Sequence, residues 1–226
     1  MLNGARGRMG AAIFRMASKD SRFVIAAQRD VGDAPTPATI PCDVVIDFSS
    51  DAGARDAATL ALERGAALLV GSTGLSQLTL AALHEASRDI ALLIAPNTSL
   101  GVAVLAHLTA AAARMLGPDF AIAISETHHT MKRDAPSGTA LRLARALRER
   151  GGKAGAAFDD AAIHSIREGQ VIGDHSVTFT GPGETITLSH SATSRDLFAR
   201  GALNAAAFLA GKPAGRYSIE QALGVE

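Results

Sequence analysis

The sequence predicts an α/β protein, a doubly wound parallel sheet followed by a second, strand-rich α+β domain. Three observations carry this. Short aliphatic runs alternate with helical stretches through the first half, a Gly-rich turn opens the first helix, and runs of alternating character replace the aliphatic ones from residue 163 on.

The chain has 226 residues, 22 basic and 22 acidic side chains, and one cysteine. Its length suits one large or two small domains. The zero net charge argues against general nucleic-acid binding, which needs a basic excess. With no Trp and one Tyr, no aromatic platform for stacked bases is expected. No apolar run approaches the ~18 residues of a membrane span, and no basic-then-apolar signal segment opens the chain. Cys42 alone excludes an internal disulfide and a Cys-based metal cage. A cytoplasmic protein that binds a small ligand is the expectation.

In chain order, Met1-Leu2-Asn3 is the only stretch available for a strand before the glycine turn. A strand ordinarily takes about 5–6 residues, so the expectation is either a stub or a chain that starts upstream. Residues 11–18 continue as helix, and 22–28 form an aliphatic strand. Residues 30–41 hold three prolines and one glycine and read as a loop. The aliphatic runs 44–49, 66–72 and 90–95 suit strands buried on both faces of a parallel sheet, with helices at 52–64 and 75–88 between them. Residues 100–116 form an Ala-rich helix that ends at Gly117-Pro118, and 120–125 form a strand. The stretch 137–150 is an amphipathic helix, with Leu141, Ala144 and Leu147 at helical spacing against Arg142, Arg145 and Arg148. A flexible break is expected at 151–157. Runs 163–168, 175–180 and 184–191 alternate like half-exposed strands, the last two joined as a hairpin by Gly181-Pro182-Gly183. The final helix, 194–210, returns to the first domain.

Gly4-Ala5-Arg6-Gly7-Arg8-Met9-Gly10 reads G-x-x-G-x-x-G at a helix start. Glycines there permit a tight turn and close approach of backbone N–H groups to a diphosphate. Alone the motif is also compatible with an ordinary Gly-rich turn; the β-α-β context favours the dinucleotide. The acid expected roughly 20 residues further on is replaced by Gln28, with Arg29 beside it. Arg29 either pairs with a 2′-phosphate or is a solvated surface arginine. The first reading predicts NADPH used at least as well as NADH. Gly71-Ser72-Thr73-Gly74 and Ala95-Pro96-Asn97-Thr98-Ser99 lie at strand ends, where small residues let a nicotinamide or ribose come close.

The richest stretch is Glu126-Thr127-His128-His129-Thr130-Met131-Lys132-Arg133-Asp134-Ala135-Pro136-Ser137-Gly138-Thr139-Ala140. Histidine exchanges protons near neutral pH, and Lys132 offers a movable cation. Ser137 is an expected N-cap, with Gly138 and Thr139 at the positive helix end, a site for a carboxylate or phosphate. The histidine pair is otherwise a surface feature. A metal is not expected, because no third ligand has suitable spacing. Ser137 is not expected as a nucleophile, since no G-x-S-x-G elbow surrounds it.

The segment 126–140, together with Gly7-Arg8-Met9-Gly10, Val45-Ile46-Asp47-Phe48-Ser49, 71–74 and 95–99, resembles the signature of the 4-hydroxy-tetrahydrodipicolinate reductase (dihydrodipicolinate reductase) family of bacterial lysine and diaminopimelate biosynthesis. The resemblance implies a Rossmann domain at 1–98 plus 196–226, and a substrate-binding and oligomerisation domain with a mixed open sheet at 99–195. It implies hydride transfer from NADH or NADPH to a cyclic dicarboxylate, in a homotetramer. By position, His128 resembles the general acid/base and Lys132 the proton donor. His129, Ser137, Gly138, Thr139 and Arg195 resemble substrate contacts. Gly4, Ala5, Arg6, Gly7, Arg8, Met9, Arg29, Gly71, Ser72, Thr73, Ala95, Pro96, Asn97 and Thr98 resemble cofactor contacts. Thr98 departs from an aromatic residue often found there, and the 30–41 connection is compact. The rival expectation is a catalytically silent NAD(P)-binding sensor. An acylating aldehyde dehydrogenase would want a nucleophilic Cys, and Cys42, just before a strand, is poorly placed for that.

Overall fold

The computed structural model describes residues 1–34, 36, 37 and 39–224. Two positions of the expected loop, Pro35 and Ala38, lie outside them. The chain divides into two units, Met1–Ser99 with the chain from Asp196 on, and Leu100–Arg195.

The first unit opens with β1 (Leu2–Asn3), α1 (Arg8–Ala17), β2 (Gln28–Arg29), β3 (Val44–Asp47), α2 (Asp51–Arg64), β4 (Ala67–Val70), α3 (Gln77–Ala86) and β5 (Ala91–Ile94). The second comprises α4 (Leu100–Leu116), β6 (Ala121–His128), α5 (Gly138–Arg150), α6 (Gly152–Ala156), β7 (Ile163–Arg167), β8 (Asp174–Gly181) and β9 (Glu184–Ser191). The chain then returns to the first unit as α7 (Asp196–Leu209), β10 (Gly215–Tyr217) and α8 (Ile219–Leu223).

The first sheet is wholly parallel, in the order β10-β5-β4-β3-β1-β2. Its central strands are mainly aliphatic because both faces are covered, with Asn3 and Asp47 the polar exceptions at the ends of β1 and β3. Ile46, Leu69 and Leu93 pack among buried residues of α1 and α7, while Val45, Leu68 and Leu92 pack among those of α2 and α3.

The second sheet is mixed, in the order β7-β6-β8-β9, with β6 parallel to β7 and antiparallel to β8. Ile124, Val177 and Phe179 on one face are buried with Leu105 of α4 and Leu143 and Leu147 of α5. The alternate positions, Ala123, Ser125, Ser176, Thr178, Thr187 and Ser189, form a face of small and polar side chains in register.

Three expectations are corrected. The strand expected at 22–28 shrinks to Gln28–Arg29, since its neighbour β1 offers only Leu2 and Asn3 to pair with. The break expected at 151–157 contains α6, where Gly155 packs so closely on α5 that a Cβ would stand 2.1 Å from the Leu147 carbonyl. The strand expected at 120–125 continues to His128, which brings the polar residues after Ser125 onto the sheet. Among the described residues no helix is long and apolar enough to cross a membrane.

Candidate active site

Side chains on a strand alternate between faces, so Glu126 and His128 continue the buried row that Ile124 begins on β6. They are 1% and 7% exposed. Register supplies their neighbours. Glu126 lies opposite Ser165 on β7 and His175 on β8, and His128 lies opposite Arg167. Glu126 Oε2 is 2.9 Å from His128 Nδ1 and 3.9 Å from His175 Nε2. The Arg167 guanidinium donates to Glu126 Oε1 at 3.0 Å. The two imidazoles meet edge to face with centroids 5.0 Å apart.

Burial works against the Glu126 charge, but hydrogen bonds from Ser137, Ser165 and Arg167, with His128 alongside, overrule it and hold the carboxyl down at about 2. Burial lowers the pKa of His128; Lys132 and Arg167 add to this, while Glu126 and Asp134 oppose it. Burial and the neighbouring His128 take His175 down to about 4. The cluster at neutral pH is therefore one carboxylate, one guanidinium and two largely neutral imidazoles.

Ser137 caps α5, its Oγ accepting from the Ala140 amide at 3.2 Å. Its own amide donates to Glu126 Oε1 at 3.1 Å, and its Oγ lies 3.2 Å from His175 Nε2. Gly138 and Thr139 form the first turn that follows. Lys132 pairs with Asp134 at 2.7 Å. Arg167 donates to the Lys132 carbonyl at 3.3 Å and to the Asp134 carbonyl, tying that segment to the Glu126 carboxylate. His129 is half-buried, its amide held by the Val171 carbonyl at 2.7 Å. Arg195 is exposed at the end of the second unit.

The glycine loop lies in the first unit. Gly4 has φ +79, and a Cβ at Gly10 would stand 2.2 Å from the Gly4 carbonyl, so the loop folds tightly under α1. The Gly4 and Ala5 amides both donate to the Arg29 carbonyl at 3.0 Å, and the Arg6 amide donates to the Asp30 carboxylate at 2.7 Å. The amides of Arg8, Met9 and Gly10, in the first turn of α1, have no acceptor within the helix. That turn fits a diphosphate. Beneath it Asp47 is fully buried, and its carboxylate accepts from Asn3 at 2.7 Å, from Ser72 at 2.6 Å and from Ser49. Burial raises the pKa of Asp47 although these donors oppose the shift. Gly71 and Ser72 are buried, and Thr73 is exposed. Ala95 is buried, and the Thr98 hydroxyl is spent on the Phe198 carbonyl at 2.7 Å.

No third metal ligand stands at suitable spacing along the sequence. The fold supplies one through register: Glu126, His128 and His175 place ligand atoms within 4.8 Å of one another. The Arg167 guanidinium on the same carboxylate opposes a cation there. The set fits a carboxylate–imidazole network. Arg167, His175 and the Asp47 tie were missed, as their partners lie on other strands. Glu126 had a local signal, two residues before His128 on one strand face.

Two family models match in succession, "Dihydrodipicolinate reductase, N-terminus" over residues 1–98 and "Dihydrodipicolinate reductase, C-terminus" over 101–223. The chain belongs to the dihydrodipicolinate reductase family. It is 42% identical to the 4-hydroxy-tetrahydrodipicolinate reductase of Xanthomonas euvesicatoria, covering 97% of this chain and 94% of that one. It is 39% identical to that of Myxococcus xanthus, covering 100% and 97%. A dipicolinate-bound dihydrodipicolinate reductase from Paenisporosarcina shares the fold, with TM-score 0.77, 23% identity and 96% of each chain covered. Membership in this reductase family, with its Rossmann-type sheet, makes the chain an oxidoreductase that uses a nicotinamide cofactor.

Proposed function

We propose that this dihydrodipicolinate reductase family member reduces 4-hydroxy-tetrahydrodipicolinate to tetrahydrodipicolinate with NAD(P)H, in the cytoplasm, for lysine and diaminopimelate synthesis. The observation that carries the reading is the buried His128 set beside Glu126, with Lys132 and the start of α5 tied to the same carboxylate. The net change replaces a hydroxyl by hydrogen: one hydride and one proton enter, and water leaves. Bound NAD(P)H supplies the hydride. The amides at the start of α5, Gly138 and Thr139, grip one substrate carboxylate without a charge of their own. Lys132, released from Asp134, adds a cation to that hold and stabilises negative charge as the hydride arrives. His128 provides the proton. His129 and Arg195 are assigned to the remaining substrate polar groups.

The cofactor contacts are assigned to the loop from Gly4 to Met9, to Arg29, and to the turns at 71–73 and 95–98. The first-turn amides of α1 hold the diphosphate. Asp30, the carboxylate nearest the end of β2, already accepts the Arg6 and Val31 amides, which leaves Arg29 to face a 2′-phosphate. NADPH is therefore used at least as well as NADH. We also propose a homotetramer built through the small polar face of the second sheet.

The reading is tested by following NAD(P)H oxidation with substrate generated in situ by a synthase. Turnover strictly dependent on the synthase product supports it, and none with either cofactor contradicts it. In the same assay, a kcat/KM preference for NADH above about tenfold, ~1.4 kcal/mol, would overturn the cofactor assignment.

A further inference from the structure

Glu126 has no part in the steps above, yet the acid end of the site converges on it. Oε1 takes the Ser137 amide at 3.1 Å and the Arg167 guanidinium at 3.0 Å. Arg167 also holds the carbonyls of Lys132 and Asp134, so the lysine segment hangs from the same carboxylate. Oε2 is 2.9 Å from Nδ1 of His128, the two atoms lying off the line of a hydrogen bond and having no other hydrogen-bond partner. A hydrogen bond between them requires the imidazole to turn. The other ring nitrogen, Nε2, faces Gly173, where a Cβ would stand 3.0 Å from it. Gly173 has no positive φ, so its missing side chain serves space rather than backbone shape.

We infer that Glu126 is a positioning residue for the reduction: its carboxylate fixes His128 with the proton on Nδ1 and leaves Nε2, kept clear of a side chain at Gly173, as the nitrogen that hands a proton to substrate. The inference rests on His128 being the acid. The acid is the imidazolium, which takes its second proton at Nε2 from solvent; in the transfer the Nε2–H bond breaks, the proton passes to the substrate, and the electron pair stays on the ring, which is left neutral with its Nδ1–H against Glu126. A carboxylate behind an imidazole sets both tautomer and ring orientation. The charged and titratable groups that face His128 are Glu126 on its own strand, Arg167 on β7, His175 on β8, and Lys132 and Asp134 from the segment beyond β6; His190 on β9 acts on His175.

The test is a double-mutant cycle of Glu126→Gln with His128→Ala. Glutamine keeps an acceptor for the Ser137 amide and removes the charge. In the wild-type background kcat falls about 10–100-fold, as when an outer partner of a working histidine is lost, while KM for NAD(P)H stays within about twofold. In the His128→Ala background the same change costs under about threefold, because its effect runs through His128. The alkaline limb of kcat moves to lower pH in Glu126→Gln, since losing the anion eases deprotonation of His128. Equal losses in both backgrounds overturn the inference and leave the proposed reduction standing. An undiminished kcat in His128→Ala overturns the proposed function itself. Two further measurements serve if Glu126→Gln does not fold. Long-range ¹H–¹⁵N spectra of the wild-type protein should show neutral His128 protonated at Nδ1, and a proton at Nε2 instead overturns the inference. Gly173→Ala should lower kcat more than about tenfold with the folded circular dichroism spectrum retained, and a wild-type kcat removes the role given to Nε2.

Discussion

His128, His175 and His190 are all pushed toward the neutral form, in each case first by burial. His175 is the extreme: its pKa falls from 6.5 to about 4. An unfolded chain takes up that proton near pH 6.5, whereas the native protein resists until near pH 4. Stability is therefore lost as pH falls through this window, by about 3 kcal/mol for this residue at roughly 1.4 kcal/mol per unit. Glu126, held at about 2 against a usual 4.5, adds a further loss at lower pH, with the same sign. Urea midpoints taken from pH 7 to 4.5 should fall, and should fall less steeply in His175→Gln; an equal slope would contradict the buried neutral assignment. At this scale His128, Lys132 and the Ser137 cap were legible because they share one short segment. Glu126 was visible there without a role, while Arg167 and His175 depend on pairing to β6 that no local spacing reveals.

At the scale of elements, strand length is set by the partner as much as by the strand's own residues. Residues 22–28 are aliphatic enough for a full strand, and Phe23 and Ile25 do pack against the core, but only Gln28 and Arg29 find ladder partners on β1. The run of small residues at 151–157 read as a break, yet the same smallness lets α6 seat on α5. Helix α8 had a signal that went unused, Ser218 with Gln221 three residues on, which form a capping box. Asp47 shows what joins elements beside the glycine loop. Its carboxylate ties the ends of β1 and β3 to the Ser72 turn after β4. Asp47→Ala strands those buried donors and should cost about 1–3 kcal/mol in chemical denaturation, with weaker NAD(P)H binding by fluorescence titration. Unchanged affinity at reduced stability would confine Asp47 to the fold.

For the whole molecule, both the α/β first unit and the strand-rich second were legible from periodicity, because aliphatic strands between helices and alternating strands bury different numbers of faces. The alternation also leaves Ser176, Thr178, Thr187 and Ser189 on one face of the second sheet, the surface proposed for the tetramer. Light scattering should give a tetramer for the wild-type chain and a smaller species for Thr178→Arg with circular dichroism preserved; a monomeric wild-type chain would contradict that assembly. Above all, the proposed reduction needs the second unit to deliver a proton through one imidazole. The most direct measurement is kcat of His128→Ala in the synthase-coupled reduction. It should fall by about 10²–10⁴-fold with NAD(P)H affinity retained, and a kcat equal to that of the wild-type chain would contradict the account.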